Sequence, residues 1–111
     1  MAFSESLAAR VRDALMRTKG VDEKRMFGGV AFLLRGNMLV GVWKDSLIVR
    51  LGPEAAAAAL REPHVAPFDI TGKAMKGWAL VGPEVLDNDE QLKDWIERAM
   101  SFVAMLPAKS G

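Results

Sequence analysis

The chain has 111 residues, of which 50% are apolar and 26% charged, a composition typical of one soluble globular domain. It contains no cysteine and a single histidine, so disulfides, thiolate nucleophiles and zinc–cysteine sites are excluded. Fifteen basic and fourteen acidic residues give a net charge of +1, which provides no overall basic excess for binding a phosphate backbone.

The first half of the chain predicts one helix and a three-strand meander. A helix is expected from Ser4 to about Thr18, with Ser4 as its N-cap, followed by a polar link at Val21–Arg25. Alternating apolar residues predict strands at Val30–Arg35, Met38–Trp43 and Leu47–Leu51. Gly36-Asn37 is a two-residue hairpin signal between the first two of these strands, because both residues tolerate positive φ.

The second half predicts two further helices and two short strands. Gly52-Pro53-Glu54 begins a helix that Pro63 ends, and strands are expected at Pro67–Thr71 and Gly77–Val81. The tripeptide Gly-Pro-Glu recurs at 82–84, where we expect the same exit from a strand. Asp87 and Glu90 form a capping-box-like start to the last helix, which Pro107 ends, and residues 108–111 are expected to be a frayed tail.

This order of elements predicts the fold class. Two groups of hairpin-connected strands without βαβ alternation argue against a parallel sheet. We therefore expect a single α+β domain over residues 1–111, with an antiparallel sheet and helices packed mainly on one face.

The location of the protein is predicted from what its segments lack. Residues 1–15 carry four charged side chains within their apolar pattern, so they do not have the uncharged core of a signal peptide. Apolar stretches such as Ala55–Leu60 are far too short to span a bilayer. A cytoplasmic protein without membrane contact is expected.

The search for catalytic chemistry finds no set of residues that belong together. His64 is the only histidine and has no marked partner, so neither a catalytic triad nor a metal site can be assembled around it. The acidic cluster at 87–90 lacks the glycine and distal glutamate of a calcium loop and is interpreted as a helix cap. The sequence predicts a non-enzyme with no metal and no cofactor.

A basic–aromatic group is the remaining candidate binding site. Its members are Arg25 and Phe27 before the meander, and Lys73, Lys76 and Trp78 around the last hairpin. If the two segments are neighbours, cations and aromatic faces could hold a nucleic acid or an acidic protein. The alternative is that Phe27 and Trp78 are core residues and that the cations only solubilise turns. The net charge of +1 favours this alternative.

Five short motifs resemble a known family in order and spacing. They are Arg25-Met26-Phe27-Gly28-Gly29, Gly41-Val42-Trp43, Arg50-Leu51-Gly52-Pro53-Glu54, Pro67-Phe68 and Lys76-Gly77-Trp78. Together they resemble the TfoX N-terminal domain family, named for a bacterial regulator of competence genes. The resemblance implies an α-β3-α-β2-α two-layer fold, a bacterial cytoplasmic protein and a role in the transcriptional control of DNA uptake. It implies no catalytic residues.

Three classes of function follow from these observations. The leading hypothesis is a non-catalytic interaction domain that acts through a protein partner in transcriptional regulation. The alternatives are direct nucleic-acid binding through the basic–aromatic group, and small-molecule binding between sheet and helices. The sequence also leaves the formation of a homodimer open.

Overall fold

The computed structural model describes residues 3–26, 28–69 and 75–108. In chain order its elements are α1 (Glu5–Ala14), β1 (Val21–Met26), β2 (Gly29–Leu34), β3 (Asn37–Trp43), β4 (Ser46–Arg50), α2 (Pro53–Ala59), β5 (Val65–Pro67), β6 (Trp78–Val81), α3 (Pro83–Leu86) and α4 (Asp89–Val103). The strands form one sheet in the order β1-β2-β3-β4-β6-β5, and every neighbouring pair is antiparallel. The predicted α+β class and antiparallel sheet are confirmed.

The helices pack on one face of this sheet. Each of the four helices contributes buried apolar residues to a single core, together with alternate residues of the strands. The strand residues of this core are Val30, Phe32, Leu34, Leu39, Val40, Val42, Leu47, Val49, Ala79 and Val81. Ala31 and Ile48 are also buried, but they lie on the opposite face, outside the core cluster. None of the helices in the described ranges has the length and apolar character that crossing a bilayer requires.

The predicted three-strand meander is present as β2, β3 and β4, with its first turn one residue earlier than expected. Arg35 and Gly36 have positive φ of 51° and 84°, so these two residues make the turn. Asn37 begins β3. Two positive φ values in succession are the signature of the hairpin turn that matches strand twist. The proposed turn pair Gly36-Asn37 was therefore wrong by one position.

A β-bulge in β3 shapes the core beneath α4. Phe32 pairs with Val40 and Leu33 with Met38, so Leu39 is an extra residue without a partner of its own in this ladder. Leu39 and Val40 are both fully buried in the core although they are neighbours in sequence. The bulge thus places two consecutive side chains on the helix side, which strict alternation would not allow.

Strand β1 corrects the predicted polar link at Val21–Arg25. Its six residues pair with β2 at the edge of the sheet, from Val21 opposite Leu34 to Met26 opposite Gly29. The strand was missed because its four central residues are all exposed, and an edge strand need not show an apolar face. Arg12 of α1 holds it through two hydrogen bonds to Glu23, at 2.7 and 2.8 Å.

The contact between Arg12 and Glu23 makes stability depend on pH. The hydrogen bonds from Arg12, with its positive charge, hold the pKa of the Glu23 carboxyl below its ordinary value. A lowered folded-state pKa stabilises the protein above the unfolded pKa, about 4.3, and the contribution is lost as pH falls through the folded value. We expect Glu23→Gln to reduce the free energy of unfolding at neutral pH but not at a pH below the folded-state pKa of Glu23, as measured by denaturant unfolding. Arg12→Gln should reproduce this pH dependence, and a loss that is constant with pH would contradict the assignment.

The helix ends also differ from the predicted ones in detail. Ser4 caps α1 as expected, since its hydroxyl oxygen accepts a hydrogen bond from the Leu7 N–H, but the helix ends at Ala14 and a turn follows. Both Gly-Pro-Glu tripeptides begin helices, and the second begins the short helix α3, which was not predicted. The N-cap of α4 is Asn88 and not Asp87, because the Asn88 side chain accepts from the N–H groups of Glu90 and Gln91.

The two short strands differ from their predicted bounds. The strand predicted at Pro67–Thr71 was wrong in position, because β5 ends at Pro67, where it was expected to begin. Strand β5 covers Val65–Pro67 and β6 covers Trp78–Val81, so Gly77 lies in the turn before β6. Residues 70 and 71, the end of the predicted strand, lie outside the described residues.

Candidate interaction surface

The sheet face opposite the helices carries the largest set of partly exposed apolar side chains in the strands. We call it the helix-free face. Strand alternation and register place on it Asp22, Lys24, Met26, Ala31, Leu33, Met38, Gly41, Trp43, Ile48, Arg50, Trp78 and Leu80. Its large apolar members other than Ile48 are neither fully buried nor fully exposed. A half-buried apolar sheet face without a helix layer has the composition of an interface core.

The centre of this face combines small and branched apolar residues. Ala31, Gly41, Ile48 and Leu80 are direct cross-strand neighbours along one row of the sheet. Met38 bends over Gly41, and a methyl group at that glycine would lie 2.9 Å from the Met38 Cε atom. The thioether side chain therefore covers Gly41, and methionine adapts easily to the shape of a partner.

A tryptophan paired with a cation lies at each end of the face. At one end the Lys44 Nζ atom lies 4.7 Å from the centroid of the Trp43 ring, next to the turn between β3 and β4. At the other end the Arg50 Cζ atom lies 5.2 Å from the centroid of Trp78, its cross-strand neighbour. Tryptophan and arginine are the residues that most often carry the binding energy of protein interfaces.

A loop that follows β5 supports the second tryptophan. The rings of Phe68 and Trp78 are 5.9 Å apart and tilted by 43°. The N–H of Met75 donates to the carbonyl oxygen of Phe68, which holds Phe68 near the residues that lead into β6. Trp78 is therefore held on both sides, by Phe68 and by Arg50, and such a preorganised side chain loses little conformational entropy on binding.

The structure does not bring the described members of the predicted basic–aromatic group together. Trp78 lies on the helix-free face in β6. Arg25 lies in the edge strand β1 with its side chain on the helix side, 5.4 Å from the ring centroid of Phe3. Strands β1 and β6 are four positions apart in the sheet, roughly 19 Å. Lys76 is exposed in the turn before β6, and Phe27 and Lys73 lie outside the described residues.

Sequence reasoning missed the residues that form the helix-free face as a unit. The available signal was in β2, where Ala31 and Leu33 make the second side of the strand as apolar as the first. A strand that is apolar on both sides indicates a sheet with both faces covered or a face that awaits a partner. Leu33 follows from that pattern, but it was not singled out.

Among the described residues, the polar side chains form ion pairs and not a reactive cluster. Arg98 lies 2.7 Å from Glu62 and 2.9 Å from Asp94, and its hydrogen bond to Glu62 raises its pKa. The Nδ1 atom of His64 lies 3.8 Å from a carboxylate oxygen of Glu84, and the two side chains are 50% and 59% exposed. No group of three or more His, Asp or Glu side chains in the described ranges is arranged to hold a metal ion.

A separate groove lies between the start of α2 and the end of α4. It has a volume of about 530 Å³ and is lined by Leu51, Gly52, Pro53, Glu54, Ala55, Arg98, Ser101, Phe102 and Met105. This volume is within the range of small-molecule sites. The groove lies between two helices, whereas the predicted small-molecule site was between sheet and helices. Small-molecule binding stays a prediction.

Comparison with known proteins identifies the family. The family model described as the TfoX N-terminal domain matches residues 13–103, which include every strand and most of the helices described above. No curated protein and no solved structure matches the chain. The match covers most of the 111 residues, and the family is one of regulatory, competence-regulator-like domains without a catalytic role. The chain therefore belongs to the TfoX N-terminal domain family.

Proposed function

We propose that this domain acts in transcriptional regulation linked to DNA uptake by binding a protein partner on its helix-free face. The observation that supports the proposal most is the combination of half-buried Leu33, Met38 and Leu80 with a tryptophan–cation pair at each end. Burial of such side chains against a partner would supply the hydrophobic free energy, since each Å² of apolar surface contributes about 25 cal/mol.

The charges around the face favour a protein over a nucleic acid. Asp22 and Lys24 lie side by side on the β1 edge of the face, and Arg50 and Lys44 lie near its ends. A phosphate backbone requires a continuous basic track, and the carboxylate of Asp22 interrupts one here. Binding of the protein partner should therefore depend only weakly on salt concentration, which titration at several salt concentrations would test. Filter binding at several salt concentrations would test for binding of a nucleic acid.

A complementation experiment tests the proposed function. Cells that naturally produce the protein would be deleted for it and supplied with the wild-type chain or with Leu33→Glu, Leu80→Glu or Arg50→Glu. A new carboxylate at any of these three positions of the face should prevent partner binding, so we expect the transcript levels of the DNA-uptake genes to resemble those of the deletion strain.

Two matched substitutions act as controls for this experiment. Leu60 is 40% exposed at the end of α2, and Arg61 is exposed beside it, so Leu60→Glu and Arg61→Glu make the same chemical changes away from the face. Both should restore the transcripts. Equal transcripts from the face variants and the wild type, with all chains folded by circular dichroism, would exclude the helix-free face as the functional surface.

A further inference from the structure

The two edges of the sheet differ in how they are protected. Strand β5 has only three residues and includes Pro67, which cannot donate a ladder hydrogen bond, so this edge resists pairing. Strand β1 at the other edge has six residues, no proline and no bulge in its ladder with β2. In the described part of the chain, β2 is the only strand that pairs with it.

The backbone groups on the outer side of β1 can be assigned. The Arg35 N–H donates to the Gly20 carbonyl oxygen at 2.8 Å, which places Gly20 in a hydrogen-bonded pair with β2. Because hydrogen-bonded and non-hydrogen-bonded pairs alternate along an antiparallel ladder, Asp22 and Lys24 also bond toward β2. Val21, Glu23 and Arg25 therefore direct their N–H and C=O groups outward, away from the sheet.

The charge order of β1 is complementary to itself. Reading along the strand, Asp22 and Glu23 are negative and Lys24 and Arg25 are positive. Two copies of β1 paired antiparallel about a two-fold axis perpendicular to the sheet must oppose residues of the same face. With the axis at Glu23, Asp22 faces Lys24 of the second copy, and Lys24 faces its Asp22.

The same register also satisfies the outward backbone groups of β1. Glu23 faces Glu23 of the second copy, and Val21 faces Arg25 of the second copy. Every outward N–H and C=O group of these residues therefore finds a hydrogen-bond partner. The two Glu23 carboxylates meet near the axis, but each is already bonded to Arg12 of its own chain. An axis at Lys24 would pair Glu23 with Arg25 of the second copy, but it would oppose two lysines, whereas each Glu23 is already bonded to Arg12 of its own chain.

An exposed apolar side chain lies beside this edge. Met16, in the turn after α1, is 72% exposed and borders the same small cavity as Val21 and Glu23. Pairing of two β1 strands about this axis keeps the two copies of α1 on the same side of the joined sheet.

We propose that the protein forms a homodimer through antiparallel pairing of β1 with β1 of a second copy, in the register centred on Glu23. The dimer has one continuous sheet, and its two helix-free faces lie side by side, available to the partner proposed above. The dimer contacts lie on β1, at the border of the helix-free face, whereas Leu33, Leu80 and Arg50 of the complementation experiment lie on β2, β6 and β4, so either proposal can fail without the other.

The test is sedimentation velocity of the full chain and of two charge variants. Wild type should sediment as a dimer. Asp22→Lys and Lys24→Asp each oppose like charges at both symmetric pairs, so each should weaken the dimer by at least about tenfold in Kd. A mixture of the two variants restores both opposite-charge pairs and should form a heterodimer. The double variant Asp22→Lys/Lys24→Asp should be a dimer by itself.

The control is Glu97→Lys on α4, which changes the net charge as Asp22→Lys does but lies away from the edge, and it should sediment as wild type. A monomeric wild type at all concentrations up to the millimolar range would overturn the proposal. The proposal would also be overturned if the two variants stayed monomeric when mixed. Circular dichroism of each variant shows that such a result does not come from misfolding.

Discussion

Replacing Gly29 with alanine is expected to reduce the free energy of unfolding by about 3 kcal/mol. Gly29 is the first residue of β2, and a methyl group there would overlap the carbonyl oxygen of Val42 in the neighbouring strand β3. A backbone atom cannot move aside as a side chain does, so the two strands must separate at the point where the meander begins. Denaturant unfolding followed by circular dichroism measures the loss.

The matched control is Gly41→Ala on the facing strand. There the nearest atom to an added methyl group is the Cε of Met38, the mobile end of a long side chain, and the Val30 carbonyl oxygen lies at 3.2 Å. The loss should be clearly smaller than for Gly29→Ala, about 1 kcal/mol. Equal losses for the two variants would mean that the close approach of β2 and β3 at Gly29 is not what requires glycine there.

Gly52→Ala is the second substitution with a large expected effect, also about 3 kcal/mol. Gly52 has φ of 88° and ψ of 158°, a region that is essentially restricted to glycine, and an added methyl group would lie 2.6 Å from the Phe102 ring. The same glycine begins α2 and donates its N–H to the Gly77 carbonyl oxygen. Strain and collision would therefore shift α2 relative to α4.

The second Gly-Pro-Glu tripeptide provides the control for this prediction. Gly82 precedes α3 with an ordinary φ of −75°, and the nearest atom to an added methyl group is a carboxylate oxygen of Glu84, which can rotate away. Gly82→Ala should therefore cost less than Gly52→Ala in thermal or denaturant unfolding. A Gly52→Ala variant as stable as Gly82→Ala would contradict the role of positive φ at the first tripeptide.

Elements with one buried face could be predicted from the sequence, and elements without one could not. The meander and the last helix were predicted because their apolar residues recur at two- or at three- and four-residue spacing. Strand β1 has no apolar face, so its existence depends on pairing with β2, which local sequence does not encode. The bulge at Leu39 and the turn at Arg35-Gly36 depend on register, which is likewise set by the neighbouring strand.

The candidate surface was only partly accessible to sequence reasoning for a similar reason. Arg25 and Trp78 were grouped because their segments are both basic and aromatic, but strand order separates them and alternation places them on opposite faces. The pair of Arg50 and Trp78 is separated by 28 positions in the chain and is formed only by the register of β4 and β6. Long-range pairing of this kind becomes visible only in the folded structure.

Site-specific photo-crosslinking in the cells that naturally produce the protein tests the central claim most directly. A photoreactive amino acid would be placed at Leu33 or Leu80 on the helix-free face, and at Leu60 or Met105 as exposed positions elsewhere. We expect the two face positions to give the same adduct with one other protein, and the two control positions to lack it. An adduct from the control positions alone, or none from either face position, would contradict a partner bound at this face.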